Sequence, residues 1–213
     1  MANTFAPFGF RQYYGGAGGA PTFAQSTRRI ASGNSTAIYV GDPVMPVVSA
    51  ASGYITQAAA GSTTLAGIFV GCKYLSVSQK KTVWGSYWPG SDANGDVTAY
   101  VIDDPNARFS VQTIGSTVSP SFQISGSNTT FTYSPIGQYA QFTIGTGSTA
   151  SGQSGSYLSS LATTATFPFI VLDMILDPPG TNGTDATSTG NWVVVGFNNE
   201  IMRSNGAGPT GIS

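Results

Sequence analysis

Short runs in which apolar and polar residues alternate recur along most of this chain, and such alternation is typical of β-strands with one buried face. From residue 37 onward they include "SGYITQA", "VTAYVI", "RFSVQ" and "AQFTIG", separated by turns rich in Gly, Ser, Asn and Pro. The helical candidate is "SGSYLSSLATT", in which Leu158 and Leu161 stand three residues apart. Many short strands at this spacing predict an all-β domain, built as a β-barrel or a β-sandwich.

The most apolar of these runs are expected to form the core, and they include "GIFVGCKYL", "FPFIVLDMIL" and "NWVVVGF". Gly67 and Gly71 are expected at bulges or where two backbones approach closely. Gly-Asp-Pro at 41–43 marks a tight turn or a kinked edge strand. We expect most of these residues to be buried: Phe69, Val101, Ile170, Val171, Trp192 and Val194.

Residues 1–30 differ from the rest of the chain. They combine spaced aromatic residues with a Gly-Ala-Pro segment, and they show neither the strand nor the helix period. The glycines favour flexibility, and aromatic side chains are anchors for a partner that offers pockets. We therefore predict an extended N-terminal arm (1–30), ordered on a partner, ahead of a β domain (31–213). Its predicted partner-binding residues are Phe5, Phe8, Phe10, Arg11, Tyr13, Tyr14, Phe23, Arg28 and Arg29. The alternative is a terminus that packs back onto its own domain.

Charge is scarce. Only 8% of the residues are charged, against about 25% in an ordinary soluble domain, and the formal net charge is −1. Such a chain has no strong electrostatic attraction for nucleic acid or for an anionic membrane, so neither is predicted as a partner. A net charge near zero favours association. The composition suits a protein that packs against other copies of itself or against a larger assembly.

The sequence shows no basic region followed by an apolar stretch at its start, so we expect no signal peptide. Its longest apolar runs are far shorter than the roughly 20 residues of a membrane-spanning helix. These features predict a soluble protein that is made in the cytoplasm.

The adjacent acids Asp103 and Asp104 are the first candidate for chemistry. Paired carboxylates serve glycosidases and aspartic proteases only where both face one cavity. Neighbours on a strand point to opposite faces, so this pair cannot converge if the strand continues. If the strand ends there, "DDPNA" is a tight turn that Pro105 favours, with Arg108 closing it or reaching a neighbour. The turn is the preferred interpretation.

A calcium loop is a weaker candidate in "SDANGDVTAYVID". Asp92, Asn94 and Asp96 stand at alternate positions, but Val97 occupies the place of the required glycine and the bidentate glutamate is missing. Asn-Gly between two β segments instead favours a hairpin turn. No metal is therefore predicted.

Other catalytic classes lack their residues. With no histidine and one cysteine, Cys72, a zinc site is nearly excluded and a Ser-His-Asp triad is impossible within the chain. No phosphate-binding loop is found, and no cofactor is predicted. The aromatic run with Trp84, Tyr87 and Trp88 beside two lysines could stack sugars or bases, although core and interface aromatics are the preferred interpretation. We expect no enzymatic activity.

The runs "GDPV", "SGYITQAAAGSTTLAGIFVGCKYL", "YWPG" and "AYVIDDPNARFSVQ" together resemble the decoration (cement) proteins of tailed bacteriophage heads. The resemblance covers residues 35–115 well and 135–205 more weakly. Residues 116–134 do not match it and are interpreted as an inserted hairpin.

The resemblance implies a non-enzymatic virion protein, made in the host cytoplasm, that binds the major capsid protein on the capsid exterior and stabilises the head. It also implies self-association, as a homotrimer first and a dimer second. Two other classes stay open: a carbohydrate-binding or tail-adhesion module that uses Trp84, Tyr87 and Trp88, and a hydrolase that uses Asp103 and Asp104.

Overall fold

The computed structural model describes residues 4–14, 24–47, 53–114, 136–163, 165–175 and 190–201. Within these ranges the regular elements are β-strands and no helix is present. The strands are β1 (Arg11–Tyr14), β2 (Ser26–Ile30), β3 (Ile38–Tyr39), β4 (Pro43–Pro46), β5 (Ile55–Gln57), β6 (Gly67–Leu75), β7 (Thr82–Gly85), β8 (Tyr87–Trp88), β9 (Val97–Ile102), β10 (Arg108–Gln112), β11 (Tyr139–Thr143), β12 (Tyr157–Ala162), β13 (Phe169–Met174) and β14 (Trp192–Phe197). The all-β prediction is confirmed.

The strands form two large antiparallel sheets and one small one. The first sheet has the order β1-β10-β14-β13-β11-β12, and the second has the order β2-β9-β6-β4-β5, with β7 also paired to β6. Strands β3 and β8 form a separate two-stranded sheet. Consecutive strands pair in both large sheets, as β13 with β14 and β4 with β5 do, while β1–β10 and β2–β9 join strands that are distant in the sequence, so the two sheets form a sandwich-like arrangement.

Two hydrophobic clusters hold the sheets together. The first cluster contains the inward side chains of the first sheet, among them Phe109, Phe142 and Phe169, and it also includes Ile68 and Ile102 from the second sheet. The second cluster lies on the other face of the second sheet, where Phe69 and Trp88 are fully buried. Strand β6 thus sends alternate side chains, Ile68 and Phe69, into different clusters, as the pleat requires.

Most of the predicted core residues are buried, with two exceptions. Phe69, Val101, Val171 and Val194 are at most 3% exposed, and Ile170 is partly buried. Trp192 is the clear error, since 45% of it is exposed. It is the first residue of β14 and pairs with Gln112 of β10, and an uninterrupted apolar run does not show which of its residues are covered.

The N-terminal segment is built into both sheets where it is described. Strand β1 pairs with β10, and β2 pairs with β9. Phe10 is 2% exposed and stacks on Phe169 with ring centres 4.4 Å apart. Residues 4–14 and 24–30 therefore pack back onto their own domain rather than extending away from it, which corrects the extended-arm prediction for these residues.

Of the predicted turns and bulges described next, two are confirmed and one is wrong. The backbone N–H of Ala107 donates to the carbonyl of Asp104, which confirms the turn in "DDPNA". The register of β6 against β9 shifts between Phe69 and Gly71, as expected of a bulge. The hairpin at Asn94-Gly95 is wrong, because the strands on either side, β8 and β9, lie in different sheets. The proposed insertion at 116–134 lies outside the described residues.

Candidate interaction surface

The predicted partner-binding residues separate into three groups. Phe5 and Arg11 are exposed and Phe8 is partly exposed, whereas Phe10 belongs to the core and is not a partner anchor. Arg28 forms an ion pair with Asp103 of its own chain at 2.7 Å, and its role toward a partner stays a prediction. Of the other predicted residues, Arg29 is exposed on β2 and Tyr13 is partly buried on β1. The backbone of Tyr14 ends β1, and Phe23 lies outside the described residues.

The surface residues of this segment meet aromatic side chains from two strands of the first sheet. The Phe5 ring contacts Tyr157 edge to face at 5.2 Å, and Phe8 lies 4.8 Å from Trp192. The guanidinium carbon of Arg11 sits 4.7 Å from the centre of the Phe8 ring. We call Phe5, Phe8, Arg11, Tyr157 and Trp192 the terminal aromatic patch.

A buried glutamine holds this patch in place. Gln112, on β10, is 1% exposed. Its Nε2 donates to the carbonyl of Thr4 at 2.7 Å and to that of Gly190 at 2.9 Å, and its Oε1 accepts from the backbone N–H of Ala6 at 2.9 Å. One side chain therefore joins residues 4–6 to the segment that leads into β14. The patch is positioned by the fold.

Sequence reasoning missed three of these residues. Tyr157 lies in the segment predicted as a helix candidate, Trp192 is among the predicted core residues, and Gln112 belongs to no motif. The alternation in "RFSVQ" places Gln112 on the opposite face from Phe109 and Val111, so this pattern gave no signal that the glutamine would be buried.

The proposed sugar platform is not assembled as predicted. Trp88 is fully buried and donates from Nε1 to the carbonyl of Asn34 at 3.2 Å. Tyr87 stacks on Tyr39 instead. Trp84 remains 66% exposed.

Different residues surround Trp84. Its ring is nearly parallel to that of Tyr100, at an interplanar angle of 10° and 6.0 Å between centres, and the Lys73 ammonium lies 4.7 Å from the indole. Lys73 faces Trp84 across β6 and β7, while Tyr100 pairs with Gly71. A Cβ atom at Gly71 would lie 2.9 Å from the carbonyl oxygen of Gly85, so this glycine permits the close approach of β7 to β6.

The two adjacent acids do not form a catalytic pair. Asp103 Oδ2 accepts from Arg28 Nη2 at 2.7 Å and from the Ser26 hydroxyl at 2.5 Å. Asp104 Oδ1 accepts from the backbone N–H of Asn106 at 2.9 Å, within the turn. Each carboxylate is thus used locally, one to attach β2 and the other to shape the turn.

The calcium candidate is likewise engaged within the protein. Asp92 accepts hydrogen bonds from the Ser76 hydroxyl at 2.6 Å and from the Ser78 backbone at 3.0 Å, and these bonds lower the pKa of its carboxyl. Among the described residues, no group of three or more His, Cys, Asp or Glu side chains is arranged to hold a metal ion.

Three further side chains with reactive groups, Cys72, Tyr74 and Asp42, are buried. Burial raises the pKa of the Cys72 thiol to about 12, so the thiolate needed for nucleophilic chemistry is strongly disfavoured. Burial also raises the pKa of Tyr74 to about 12. Asp42, 1% exposed, accepts from the hydroxyls of Ser154 and Ser156, from Gln57 Nε2 and from the backbone of Tyr39. This network ties the turn at 41–43 to the segment before β12.

No protein-family model, curated protein or solved structure matches the chain. No helix in the described part of the chain is long and apolar enough to cross a membrane. The function proposed below therefore rests on the residues of this chain and on the surface that they form.

Proposed function

We propose that this chain is a non-enzymatic virion structural protein that binds the outer surface of a tailed-phage capsid and stabilises it. The observation that carries the proposal is the terminal aromatic patch, a group of exposed and partly exposed rings on a charge-poor all-β body. Phe5 is 43% exposed and Trp192 is 45% exposed, although both rings are already held by neighbours. Exposed aromatic clusters of this kind mark protein-binding surfaces.

The energetics of the patch favour a lattice partner. Burying the open halves of Phe5 and Trp192 removes roughly 200 Å² of apolar surface from water, which contributes about 5 kcal/mol. Association costs about 4–15 kcal/mol in lost freedom, so one patch alone binds weakly. Several patches on one oligomer raise the effective affinity without a new type of contact. This is the physical reason for proposing a homotrimer, with a dimer as the second choice.

The proposed partner is the major capsid protein, and the proposed location is the capsid exterior, after synthesis in the host cytoplasm. Stabilisation follows from added interface: subunits of the shell cannot separate without also breaking the contacts made by each bound copy. A specific contact commonly buries about 1,600 Å² in total, so the patch would be the centre of a larger footprint. The partner surface is expected to be apolar with few acids, because Arg11 is the one cation of the patch as defined.

Binding to heads tests the proposal. Purified protein is co-sedimented with heads of the phage that encodes the chain, after these heads have been stripped of it. We expect a Phe5→Ala, Trp192→Ala double variant to bind at least tenfold more weakly than the natural chain. Leu75→Ala is the matched control, since Leu75 is 44% exposed on the other large sheet. Equal binding by the double variant and the control would contradict the proposed role of the patch.

A second candidate function is carbohydrate binding at Trp84. The observation that favours it is a 66% exposed indole held nearly parallel to Tyr100, beside the Lys73 ammonium. Flat aromatic surfaces flanked by hydrogen-bonding groups suit the apolar face of a sugar ring. Glycan-array binding that is lost in Trp84→Ala and kept in Trp192→Ala would support this candidate. Absence of any glycan signal for the natural chain would remove it.

A further inference from the structure

Asn94 and Gly95 lie in an exposed bend between β8 and β9. Asn94 also lines an open cavity of about 490 Å³ with Leu75 and Lys80, so solvent reaches its side chain. A Cβ atom built on Gly95 would have nothing within 4 Å. The space around both residues is therefore open, and the capsid-binding proposal assigns neither of them a role.

The side-chain amide of Asn94 and the backbone N–H of Gly95 are both unbonded. Neither group forms a hydrogen bond within the part of the chain that the structure describes. Asn94 is held through its backbone instead, because its own N–H donates to the carbonyl of Leu75 at 2.8 Å. The side chain can therefore rotate until its Cγ atom approaches the nitrogen of Gly95.

Asn34 and Asn198 show the opposite situation. Asn34 Oδ1 accepts from the backbone N–H of Thr36 at 2.8 Å, and its Nδ2 donates to the Thr56 hydroxyl at 3.2 Å. Asn198 Nδ2 donates to two backbone carbonyls, at 2.7 and 2.8 Å. Neither residue is followed by glycine. An amide that is bonded in this way must break its bonds before it reacts, whereas the amide of Asn94 has none to break.

We propose that Asn94 is a site of spontaneous deamidation. The backbone nitrogen of Gly95 loses its proton to solvent and attacks Cγ of Asn94, so that a new C–N bond forms. The bond between Cγ and the side-chain nitrogen breaks, and this nitrogen leaves as ammonia with a proton taken from solvent. A cyclic succinimide remains. Glycine favours the attack, because it has no Cβ to obstruct the ring.

Water completes the reaction by opening the succinimide at either of its two carbonyl carbons. Opening at Cγ gives an aspartyl residue, and opening at the main-chain carbonyl carbon gives an isoaspartyl residue, whose main chain runs through Cβ. The net change replaces an amide with a carboxylate and releases ammonia, without oxidation or reduction. Each modified copy gains one negative charge in a chain of formal net charge −1. The isoaspartyl product also lengthens the main chain just before β9, which begins at Val97.

Peptide mapping of the full chain tests the site without heads, so its outcome is independent of the proposed function. The folded chain is kept in a warm, mildly alkaline buffer, sampled over time and digested with trypsin, with a sample taken at the start as the blank. One tryptic peptide, residues 82–108, contains both Asn94 and Asn106. The residue after Asn106 is Ala107, whose N–H donates to a carbonyl. We expect Asn94 to deamidate at least tenfold faster than Asn106, which corresponds to about 1.4 kcal/mol in activation free energy. Equal rates at the two residues would overturn the proposal.

A comparison with the urea-denatured chain tests the contribution of the fold. Unfolding removes the hydrogen bonds of Asn34 and leaves the amide of Asn94 as unbonded as before. We expect folding to slow deamidation at Asn34 at least tenfold and to change the rate at Asn94 by less than about tenfold. If folding slowed Asn94 as much as Asn34, the bend would be a protected site and the proposal would be wrong.

Two variants test the attack by the Gly95 nitrogen. Gly95→Ala places a Cβ beside that nitrogen in otherwise open space, and Asn94→Gln moves the amide one carbon further away. We expect each change to slow modification at position 94 at least tenfold. Since the φ of Gly95 is 92°, the melting temperature of Gly95→Ala is measured to show that it is folded, and Asn94→Gln carries the test if it is not. An unchanged rate at position 94 in the folded variants would contradict the proposed reaction.

Discussion

Two buried polar side chains, Gln112 and Asp42, join parts of the chain that are more than a hundred residues apart. Gln112 reaches residues 4–6, and Asp42 accepts hydrogen bonds from Ser154 and Ser156. Buried polar groups of this kind stabilise one arrangement over others, because any alternative leaves donors and acceptors unpaired. In this molecule Gln112 fixes residues 4–6 of the terminal segment, and Asp42 fixes the turn at 41–43.

Replacing Gln112 with alanine tests its role as the clamp of the patch. The backbone groups of Thr4, Ala6 and Gly190 would lose their partner, so we expect the free energy of unfolding to fall by about 1–3 kcal/mol. Head binding should fall as well, because Phe5 and Phe8 are no longer held. Urea denaturation and co-sedimentation measure the two effects, with Gln79→Ala, an exposed position, as the control. Unchanged stability would show that the clamp contributes nothing.

Cys72 gives a prediction that depends on pH. Its ordinary pKa of 9.0 is raised to about 12 by burial, so the native thiol stays protonated where the unfolded one already ionises. At pH 8 we expect alkylation of the native protein to be about a hundredfold or more slower than that of the denatured protein. The same difference makes the free energy of unfolding fall as the pH rises above about 9. Rapid alkylation under native conditions would contradict the buried position of this thiol.

Phe8 and Phe10 show why the sequence pattern could not separate surface residues from core residues. Phe8 and Phe10 stand two apart, which in a regular strand places both on one face. In the structure β1 begins only at Arg11, and Gly9 has a φ of 77°, in the left-handed region. Phe10 enters the core and Phe8 stays partly exposed, a difference that the hydrophobic pattern does not contain.

At the scale of elements, most strands were predictable and their irregularities were not. "VTAYVI" and "RFSVQ" match β9 and β10 residue for residue. Strand β12 resembled a helix because Leu158 and Leu161 are three apart. In the structure, Ser160 and Leu158 face consecutive residues of β11, so Ser159 is the extra residue of a bulge. The bulge lets both leucines face the core. Their spacing of three residues therefore arises from an irregular strand and not from a helix.

Gly67 tests the close approach of β6 to β9. Its φ is 136°, and a Cβ atom there would lie 2.4 Å from the carbonyl oxygen of Ile102. We expect Gly67→Ala to lower the free energy of unfolding by about 3 kcal/mol or more, because backbone strain and a backbone clash add. Gly61→Ala is the matched control: its φ is also positive, at 90°, but nothing lies within 4 Å of the added atom. Thermal melts should show a loss of about 1 kcal/mol for the control, and equal losses would refute the clash.

At the scale of the whole molecule, the N-terminal segment contributes a strand to each large sheet. A chain that begins at Ile30 lacks β1, most of β2 and the buried ring of Phe10. Loss of a buried phenylalanine alone typically costs about 3–5 kcal/mol. We therefore expect this truncated chain to lose its cooperative thermal transition, whereas removal of residues 1–3 should leave it intact. A cooperative melt at the normal temperature in the truncated chain would show that residues 4–29 are dispensable for folding.

The fold class followed from composition and alternation, because they are local properties of the sequence. The interaction surface did not, because Phe5, Phe8, Tyr157 and Trp192 come together only through the order of strands in the first sheet. A surface with few charges can be buried at little cost in desolvation, but composition does not say which part of the surface would bind a partner.

The most direct test of the capsid-binding account is an electron cryomicroscopy comparison of heads with and without this protein. The account predicts added density on the outer surface of the shell, into which the β domain fits with Trp192 and Phe8 against the capsid lattice and Trp84 directed away from it. Heads without the protein should lack this density and rupture more readily. Density that lies on the tail or inside the shell, or identical maps for the two kinds of head, would contradict the account.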